Sequence, residues 1–383
     1  MAVTWKQYSG VWTMQSQMQA VSAGTWPSPP SLPGLYSWGY NAQGQLGLGS
    51  TTSYSSPKQV GALTNWSSIS CGGNSTVSIK TDGTLWSWGY NSSGQLGLGN
   101  TTYYSSPKQV GALTNWSSVS CGFYQTVSIK TNGTLWSWGQ NNFGQLGLGN
   151  TTYYSSPKQV GALTNWLSVS CGNYHTVSIK TDGTLWSWGR NNAGQLGTSN
   201  ITNYSSPKQV GALTTWSSVS CGFYHTLSIK TDGSLWSWGQ NTSGELGLGN
   251  KTNYSSPKQV GALTNWLSVS GGYNFTVSIK TNGTLWSWGG NGYGQLGLNN
   301  KTNYSSPKQV GALTNWSSVS CVDACSFSIK TDGTLWSWGL NNWGQLGLGN
   351  ITYYSSPKQV GALTSWTKLF KGSQGSSALA IHS

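Results

Sequence analysis

Residues able to perform acid–base catalysis are scarce in this chain, and their positions argue against catalysis. Only six acidic residues and three histidines occur among 383 residues. Asp82 and Asp182 lie in turns where a sister repeat carries Asn132, and a residue that exchanges with Asn is not expected to act as a general acid or base. His175 and His225 share one repeat position that other copies fill differently, which favours a structural role. We therefore expect no enzymatic activity and no bound cofactor.

The six cysteines could bind a metal or form disulfides, but their spacing favours neither. The position of Cys71 holds cysteine in four further copies, and equivalent positions of different repeats are not expected to meet within disulfide reach. Cys321 and Cys325 are separated by three intervening residues in one irregular loop. A tetrahedral metal site needs more ligands than this pair, and no second pair completes it. We expect reduced, buried cysteines and no metal site.

These residues belong to a fifty-residue unit that recurs seven times with little change. A fixed period of this length with strand-like content is typical of closed or stacked repeat folds, whose units bury their apolar faces against one another. We divide the chain into an N-terminal segment, residues 1–34, and a repeat region, residues 35–383. The tripeptide Ser-Trp-Gly marks the repeat at residues 37–39, 87–89, 137–139, 187–189, 237–239, 287–289 and 337–339.

Each repeat contains four short strand patterns. In one copy, residues 67–71 and 76–80 alternate polar and apolar side chains, and residues 85–88 place two tryptophans on one side of a third strand. A fourth strand is predicted at residues 107–110. Residues 81–84 contain Asp-Gly, which predicts a two-residue hairpin turn with positive φ at both central positions. Four antiparallel strands per repeat predict a blade, and seven repeats predict an all-β, seven-bladed β-propeller.

The two ends of the repeat region each lack half a blade. The chain enters with the third and fourth strands, at residues 35–39 and 57–60. It ends on two patterns that resemble the first and second strands, at residues 366–370 and 378–381. We therefore predict that both ends complete one shared blade and close the ring without a covalent link.

The net charge of +13 suggests nucleic-acid binding, but its placement argues against sequence-specific recognition. Most lysines recur at two repeat positions, those of Lys58 and Lys80, so we expect the charge to spread evenly around the ring. Only Arg190 could contact a base edge through two hydrogen bonds. The Pro-Lys pair of the outermost strand is expected to block edge-to-edge pairing rather than to bind a ligand. No apolar run of eighteen residues and no signal-peptide pattern occurs, so neither membrane insertion nor signal-directed export is expected.

The repeat resembles a known family. The pattern Val-Ser-Cys-Gly-x-Tyr-His-Thr-Val-Ser-Ile-Lys-Thr-Asp-Gly-x-Leu-Trp-Ser-Trp-Gly-x-Asn-x-x-Gly-Gln-Leu-Gly-x-Gly is similar to the regulator of chromosome condensation repeat across residues 35–383. The resemblance implies a seven-bladed propeller closed by a mixed blade. The founding activity of this family is guanine-nucleotide exchange on a nuclear GTPase, and the resemblance implies that such an activity would need inserted elements and a basic tail. The constant fifty-residue period and the single Lys6 before the repeats provide neither, so exchange is not expected.

Differences between copies concentrate on one predicted face of the propeller. The connections between strands one and two and between strands three and four emerge on the same side of a blade, and these connections vary most. Aromatic and amide side chains are typical of adaptable recognition surfaces, so we hypothesise that this face binds a glycan or protein; drift in tolerant loops is the alternative. The candidate binding residues are Tyr40, Tyr90, Phe143, Arg190, Tyr293, Trp343, Phe123, Tyr124, Tyr174, His175, Phe223, Tyr224, His225, Tyr273 and Phe275.

The first 34 residues are unlike the repeats. Residues 13–23 predict a short helix, and the Pro-rich residues 27–34 predict an extended spacer. An apolar helix held on a spacer favours a docking segment; a cap packed on the propeller is the alternative. The string Gly-Val-Trp…Gln-x-Gln…Ala-Gly-Thr-Trp-Pro resembles short tags in virion structural proteins of marine tailed bacteriophages. The candidate anchoring residues are Trp5, Trp12, Met14, Met18, Val21 and Trp26.

Together these patterns predict a non-enzymatic virion protein of a tailed phage, with the propeller displayed on the fibre, tail or capsid as an adhesion module. Residues 1–34 would contact other virion proteins, and the propeller would bind a host-surface glycan or protein. Homo-oligomerisation stays open. The alternative is a cellular propeller scaffold or a relative of the exchange factors.

Overall fold

The computed structural model describes residues 33–372 and 375–383. The predicted helix at residues 13–23, the anchoring residues and nearly all of the Pro-rich spacer lie outside the described residues. Every regular element that the structure describes is a β-strand. The strands in chain order are β1 (Gly34–Gly39), β2 (Tyr54–Gln59), β3 (Trp66–Cys71), β4 (Ser75–Lys80), β5 (Leu85–Gly89), β6 (Tyr104–Gln109), β7 (Trp116–Cys121), β8 (Gln125–Lys130), β9 (Leu135–Gly139), β10 (Tyr154–Gln159), β11 (Trp166–Cys171), β12 (His175–Lys180), β13 (Leu185–Gly189), β14 (Tyr204–Gln209), β15 (Trp216–Cys221), β16 (His225–Lys230), β17 (Leu235–Gly239), β18 (Tyr254–Gln259), β19 (Trp266–Gly271), β20 (Phe275–Lys280), β21 (Leu285–Gly289), β22 (Tyr304–Gln309), β23 (Trp316–Val322), β24 (Cys325–Lys330), β25 (Leu335–Gly339), β26 (Tyr354–Gln359), β27 (Trp366–Leu369) and β28 (Ser377–His382).

The strands form seven four-stranded antiparallel sheets, which confirms the predicted propeller. Blade 1 consists of β3–β6, blade 2 of β7–β10, blade 3 of β11–β14, blade 4 of β15–β18, blade 5 of β19–β22 and blade 6 of β23–β26. Blade 7 has the order β2-β1-β28-β27, so the two ends of the repeat region share it as predicted. Its central ladder pairs six consecutive residues, from Gly34 with His382 to Gly39 with Ser377.

Tryptophans fill the spaces between blades. Trp88 is fully buried, and its indole N–H donates to the Gln45 carbonyl oxygen of the preceding blade at 2.9 Å. Its ring meets that of Trp66 edge-on at 5.8 Å, a geometry that aromatic pairs favour. Gly47 has a φ of 72°, and a Cβ there would lie 2.7 Å from the Trp88 indole nitrogen. The Gly-Gln-Leu-Gly stretch is therefore constant because the next blade's tryptophan occupies the space of a side chain.

The hairpin turn between the second and third strands differs from the predicted one. Gly83 has a φ of 77°, but Asp82 is not among the residues with positive φ. Backbone hydrogen bonds join Lys80 N to the Thr84 oxygen at 3.0 Å and Gly83 N to the Lys80 oxygen at 3.0 Å. The loop therefore has three residues, with a glycine last, rather than two residues with positive φ. The Asp82 carboxylate accepts hydrogen bonds from the Thr84 N–H and hydroxyl, which explains why Asn can replace it.

The lysine at the end of the second strand is buried, which corrects the prediction of an even surface charge. Lys80 is 6% exposed, and its ammonium lies 3.7 Å from the Trp86 ring centroid and 5.1 Å from that of Trp66. Burial lowers the pKa of Lys80, and the nearby Asp82 partly opposes this shift. Six of the nineteen basic side chains occupy this position, so they support the tryptophan packing rather than a charged surface.

The outermost strand begins earlier than predicted. It runs from Tyr104 to Gln109 in blade 1, so the proline lies inside the strand rather than at its start. The pairing register with the third strand shifts between Ser87 and Gly89, which is where the ladder tolerates a residue without an N–H. Lys108 extends over the Tyr104 ring at 5.5 Å. A proline and a lysine on an edge strand fit the predicted role of discouraging strand addition.

Candidate partner-binding face

The two variable connections of each blade lie together, as the sequence predicts. Tyr90 begins the connection between strands three and four, and its N–H donates to the Asn74 carbonyl oxygen in the connection between strands one and two at 2.8 Å. Equivalent bonds recur in the other blades. We call this side, formed by residues 72–74, 90–103 and their counterparts, the variable face. The opposite side, formed by residues 81–84, 110–115 and their counterparts, is the uniform face.

A continuous series of aromatic contacts crosses the variable face from blade 1 to blade 5. Tyr90 contacts Tyr124 at a centroid distance of 5.4 Å, and Tyr124 contacts Phe123 at 4.4 Å. Phe123 reaches Phe223 at 6.1 Å, although their blades are not neighbours, and Phe223 contacts Tyr273 at 4.4 Å. The predicted residues of these blades therefore form one surface rather than isolated loop tips.

Arg190 lies beside this series and contacts rings that adjoin it, since Tyr174 lies 6.4 Å from Phe123 and Tyr224 lies 4.7 Å from Phe223. Its guanidinium is 5.0 Å from the Phe143 ring centroid, 5.8 Å from that of Tyr174 and 5.3 Å from that of Tyr224. These rings belong to blades 2, 3 and 4, so one side chain joins three blades. The three rings surround the guanidinium, and its N–H groups have no acceptor in the described residues. The arrangement can recognise a carboxylate, phosphate or carbonyl group of a partner.

A smaller set of aromatic contacts lies on blades 5 to 7 of the variable face. Tyr40 of blade 7 contacts Trp343 of blade 6 at 4.8 Å. Tyr293 of blade 5 contacts Tyr353 of blade 6 at 5.8 Å. Trp343 is 46% exposed, an unusual exposure for an indole ring. An exposed aromatic side chain rimmed by polar residues is typical of an interaction surface.

Three predicted binding residues do not reach the surface. His175, His225 and Phe275 are fully buried below the variable face, so assigning them to an exposed binding surface is wrong. Each is the first residue of a second strand, where the side chain points between blades. His175 Nε2 lies 3.1 Å from the Thr226 hydroxyl of the next blade. Burial lowers the pKa of both histidines to about 3, so they are neutral at physiological pH.

Charge is distributed unequally between the faces. Lys251 and Lys301 lie exposed in the variable-face connections, and Arg190 lies there half-buried. The turn aspartates lie on the uniform face. Asp323, on the variable face, is half-buried, and burial raises its pKa to about 6. Exposed or partly exposed cations thus accompany the aromatic rings of the variable face, whereas the turn aspartates lie on the other side.

Glu245 is a buried acid that the sequence analysis passed over. It occupies the position of Gln45 and is fully buried. Its Oε2 accepts the Ser243 N–H at 2.7 Å, whereas its Oε1 has no hydrogen-bond partner among the described residues. Burial raises its pKa. Glutamine recurs at this position in the other copies, and its replacement by an acid in one copy is the sequence signal that could have identified Glu245.

The cysteines lie inside the ring and are unpaired, as predicted. All six are buried and free. Burial raises the pKa of the Cys121 and Cys221 thiols to about 12, which suppresses the reactive thiolate. Within residues 33–372 and 375–383, no group of three or more His, Cys, Asp or Glu side chains could hold a metal ion. The described chain also forms no helix able to span a membrane.

Comparison with known structures finds the same fold in proteins of low sequence identity. Human WBSCR16 is 21% identical with a TM-score of 0.82, covering 92% of this chain and 99% of that one. Prp20p from Saccharomyces cerevisiae is 19% identical with a TM-score of 0.82, covering 92% of both chains. Yeast RCC1 (Prp20) bound to Kap60 is 18% identical with a TM-score of 0.81, covering 100% of this chain and 96% of that one. No curated protein matches the chain in sequence.

Sequence profiles of one family match most of the chain. The RCC1-like domain matches residues 14–260. The regulator of chromosome condensation (RCC1) repeat matches residues 282–329 and 332–379, and a second profile of the same repeat matches residues 266–295. Together with the closed seven-bladed ring and its shared blade, these matches establish that the chain belongs to the RCC1-like domain family.

Proposed function

We propose that this propeller is a non-catalytic binding module whose variable face recognises a protein or a glycan. The observation that carries the proposal is that the residues differing most between copies contact one another on one face. They form a large group of rings that includes the rings around Arg190, and a smaller group at Trp343. Tyrosine, tryptophan and arginine supply large contact areas at a small entropic cost, which makes them frequent anchors of binding surfaces. Random drift would not be expected to select mutually contacting aromatic rings.

Relatives of the same fold support a macromolecular partner. The structure of Prp20p was described with its binding to Gsp1p and histones, and yeast RCC1 (Prp20) was crystallised bound to Kap60. Each of these partners is a protein. For this chain, guanine-nucleotide exchange is disfavoured because every repeat keeps the fifty-residue period and leaves no inserted element beside the propeller.

The proposed setting is the virion of a tailed phage, with the propeller displayed outward on the tail, fibre or capsid. This part rests on residues 1–34, whose sequence resembles short virion tags and which lie largely outside the described residues. Other virion proteins would bind this segment, and a host-surface glycan or protein would bind the variable face. The chain would then be located in the virion.

Particle incorporation tests the setting. The full chain and a variant lacking residues 1–34 are expressed during infection, and purified particles are probed for each. Co-purification of the full chain and loss of the shortened one is the expected result. Absence of the full chain from purified particles would contradict the virion setting while leaving the binding face untouched.

Binding to host cells tests the face. The labelled full chain is titrated onto cells of a bacterium that supports the phage, and saturable binding is expected. Trp343→Ala and Phe143→Ala should weaken this binding by about tenfold or more if they are anchors. Ala193 shows that alanine is accepted at the same repeat position, so these changes leave the fold intact. Accelerated nucleotide release from a small GTPase, combined with no binding to cells, would instead favour an exchange-factor relative.

A further inference from the structure

The first strands of the blades surround a central channel that contains a cavity of about 250 Å³. The lining comes mainly from the first strands of blades 3 to 5 and from residues 370–372 of blade 7. Serines dominate the polar lining, and valines supply the apolar part. Nothing in the binding role of the variable face makes use of this cavity.

The hydroxyl oxygens of four lining serines accept hydrogen bonds from backbone N–H groups of the next blade. Their hydroxyl protons therefore remain available for donation to a ligand. Ser170 Oγ accepts the Cys221 N–H at 2.9 Å. Equivalent bonds run from the next blade to Ser120 at 3.0 Å, to Ser270 at 2.9 Å and to Ser220 at 3.2 Å. Within the part of the chain that the structure describes, none of these four hydroxyls has an acceptor for its own proton. A hydroxyl with one lone pair occupied can still donate, so the channel wall offers four donors.

Lys371 brings a positive charge to the same wall. In blade 7, Phe370 takes the buried position and packs edge-on against Phe327 at 5.5 Å, so that Lys371 lines the cavity. Its backbone is fixed by bonds from Lys371 N to the Ile69 oxygen at 2.9 Å and from Cys71 N to the Lys371 oxygen at 2.8 Å. Lys371 stays exposed to the solvent of the channel, although desolvation by its surroundings and the charge of Lys368 lower its pKa.

No carboxylate compensates this charge. Among the described residues, none of the side chains that line the cavity is acidic. Asp323 lies in the connection that follows the first strand of the neighbouring blade, but no ion pair joins it to Lys371, and burial alone raises its pKa. Lys368 is engaged elsewhere, since its ammonium donates to the Ser67 carbonyl oxygen at 2.7 Å. A lysine that lines the cavity beside unused hydroxyl donors, with no acidic residue in the described lining, is an arrangement that an anion would complete.

We propose that the central channel binds one free tetrahedral oxyanion of the phosphate or sulfate type, held by Lys371 and the hydroxyls of Ser120, Ser170, Ser220 and Ser270. The side of the channel toward the variable face is narrowed by Phe123 and Phe223, which contact each other at 6.1 Å. Asn173 lies in the equivalent connection of blade 3, between the connections that carry Phe123 and Phe223, and its side chain is buried. This narrowing favours a free ion over a group carried on a polymer.

Calorimetric titration of the full chain with inorganic phosphate, and separately with sulfate, tests the site. One ion per chain should bind, and Lys371→Met should weaken binding by about tenfold or more, because a charge-assisted hydrogen bond is lost. Lys358→Met makes the same change in net charge on an outer strand, and its affinity should equal that of the unchanged protein. Absence of binding to the unchanged protein, or equal affinities for the two variants, would overturn the proposal.

A second measurement avoids any dependence on the folding of the Lys371 variant. The unchanged chain is acetylated with a lysine-reactive reagent with and without phosphate, and each lysine is quantified by mass spectrometry. Phosphate should slow modification of Lys371 several-fold and leave that of Lys358 unchanged. Equal modification of Lys371 in both conditions would count against the site.

Discussion

The uniform and variable faces of the propeller are built from the same repeat but obey different constraints. On the uniform face, Gly133 has a φ of 74°, and a Cβ there would collide with the Thr164 carbonyl oxygen of the adjoining loop. Only glycine satisfies both conditions, so this glycine recurs in the corresponding turns of blades 1 to 6. On the variable face, Tyr90 and Tyr124 are half-buried and contact other variable side chains of the same face, so no fixed backbone approach restricts their positions. Residues that recur in every repeat are therefore those that the backbone geometry requires. Residues that differ between repeats occupy positions where many side chains are compatible with the fold.

If this contrast is correct, the cost of substitution should fall from the uniform face to the variable face. The largest effect is expected for Gly133→Ala, which should lower the free energy of unfolding by roughly 3 kcal/mol, because it combines positive φ with a backbone collision. Chemical denaturation monitored by tryptophan fluorescence measures this value.

Gly161→Ala is the matched control. Gly161 also has a positive φ, 60°, but a Cβ there meets nothing within 4 Å. Its substitution should cost about 1 kcal/mol, from backbone strain alone. Equal losses for the two variants would mean that the close approach to Thr164 does not constrain the turn.

An intermediate effect is expected in the layer below the variable face. The buried His175 has a pKa of about 3, whereas the unfolded chain binds a proton near pH 6.5. Between these values the unfolded state binds more protons, so stability falls as the pH is lowered from 6.5 toward 3. His175→Gln, which imitates Gln125, should remove about 2.5 kcal/mol of the stability lost between about pH 7 and pH 4.5.

Denaturation curves of the unchanged chain and of His175→Gln at several pH values measure this difference. The comparison concerns the pH dependence rather than absolute stability, since the substitution also replaces the contact with Thr226. Parallel pH profiles of the two proteins would show that the histidine is not held neutral by burial.

A smaller effect is expected at Glu245, in a variable-face connection. Glu245→Gln restores the amide of the sister copies, where Gln45 donates to Asn74 at 3.3 Å, and Asn274 is the equivalent acceptor. The variant should gain about 1 kcal/mol at neutral pH, since a buried charge is removed and a donor is supplied. Because burial raises the pKa of Glu245 above its ordinary value, this gain should disappear as the pH is lowered and the carboxyl becomes protonated. A loss of stability at neutral pH would contradict this account.

The architecture was predictable because the repeat determines it. Seven Ser-Trp-Gly tripeptides, the alternation in each strand pattern and the incomplete ends predicted the blade count and the shared blade, all of which the structure contains. Local geometry was less predictable. Asp-Gly is compatible with more than one hairpin loop, and the register shift before Gly89 moved the outer strand toward Tyr104. Neither feature has a distinct sequence pattern.

The binding face was predictable as a region and only partly as a set of residues. Variation between copies located the connections, but it did not separate exposed from buried positions within them. Tyr174 and His175 are adjacent in sequence, yet Tyr174 reaches the face and His175 is buried, because strand β12 begins at His175 and its side chain points between blades. The clustering of rings around Arg190 depends on distances between blades, which the sequence of a single repeat does not contain.

The most direct test of the central contrast is one triple variant, Phe143→Ala, Arg190→Gln and Trp343→Ala, measured for both stability and cell binding. Each new residue already occurs at the same repeat position, as Ala193 and Gln140. We predict a free energy of unfolding within about 1 kcal/mol of the unchanged chain and binding weakened by at least about tenfold. Unchanged binding, or a loss of stability as large as that of Gly133→Ala, would contradict the assignment of binding to one face and of stability to the rest.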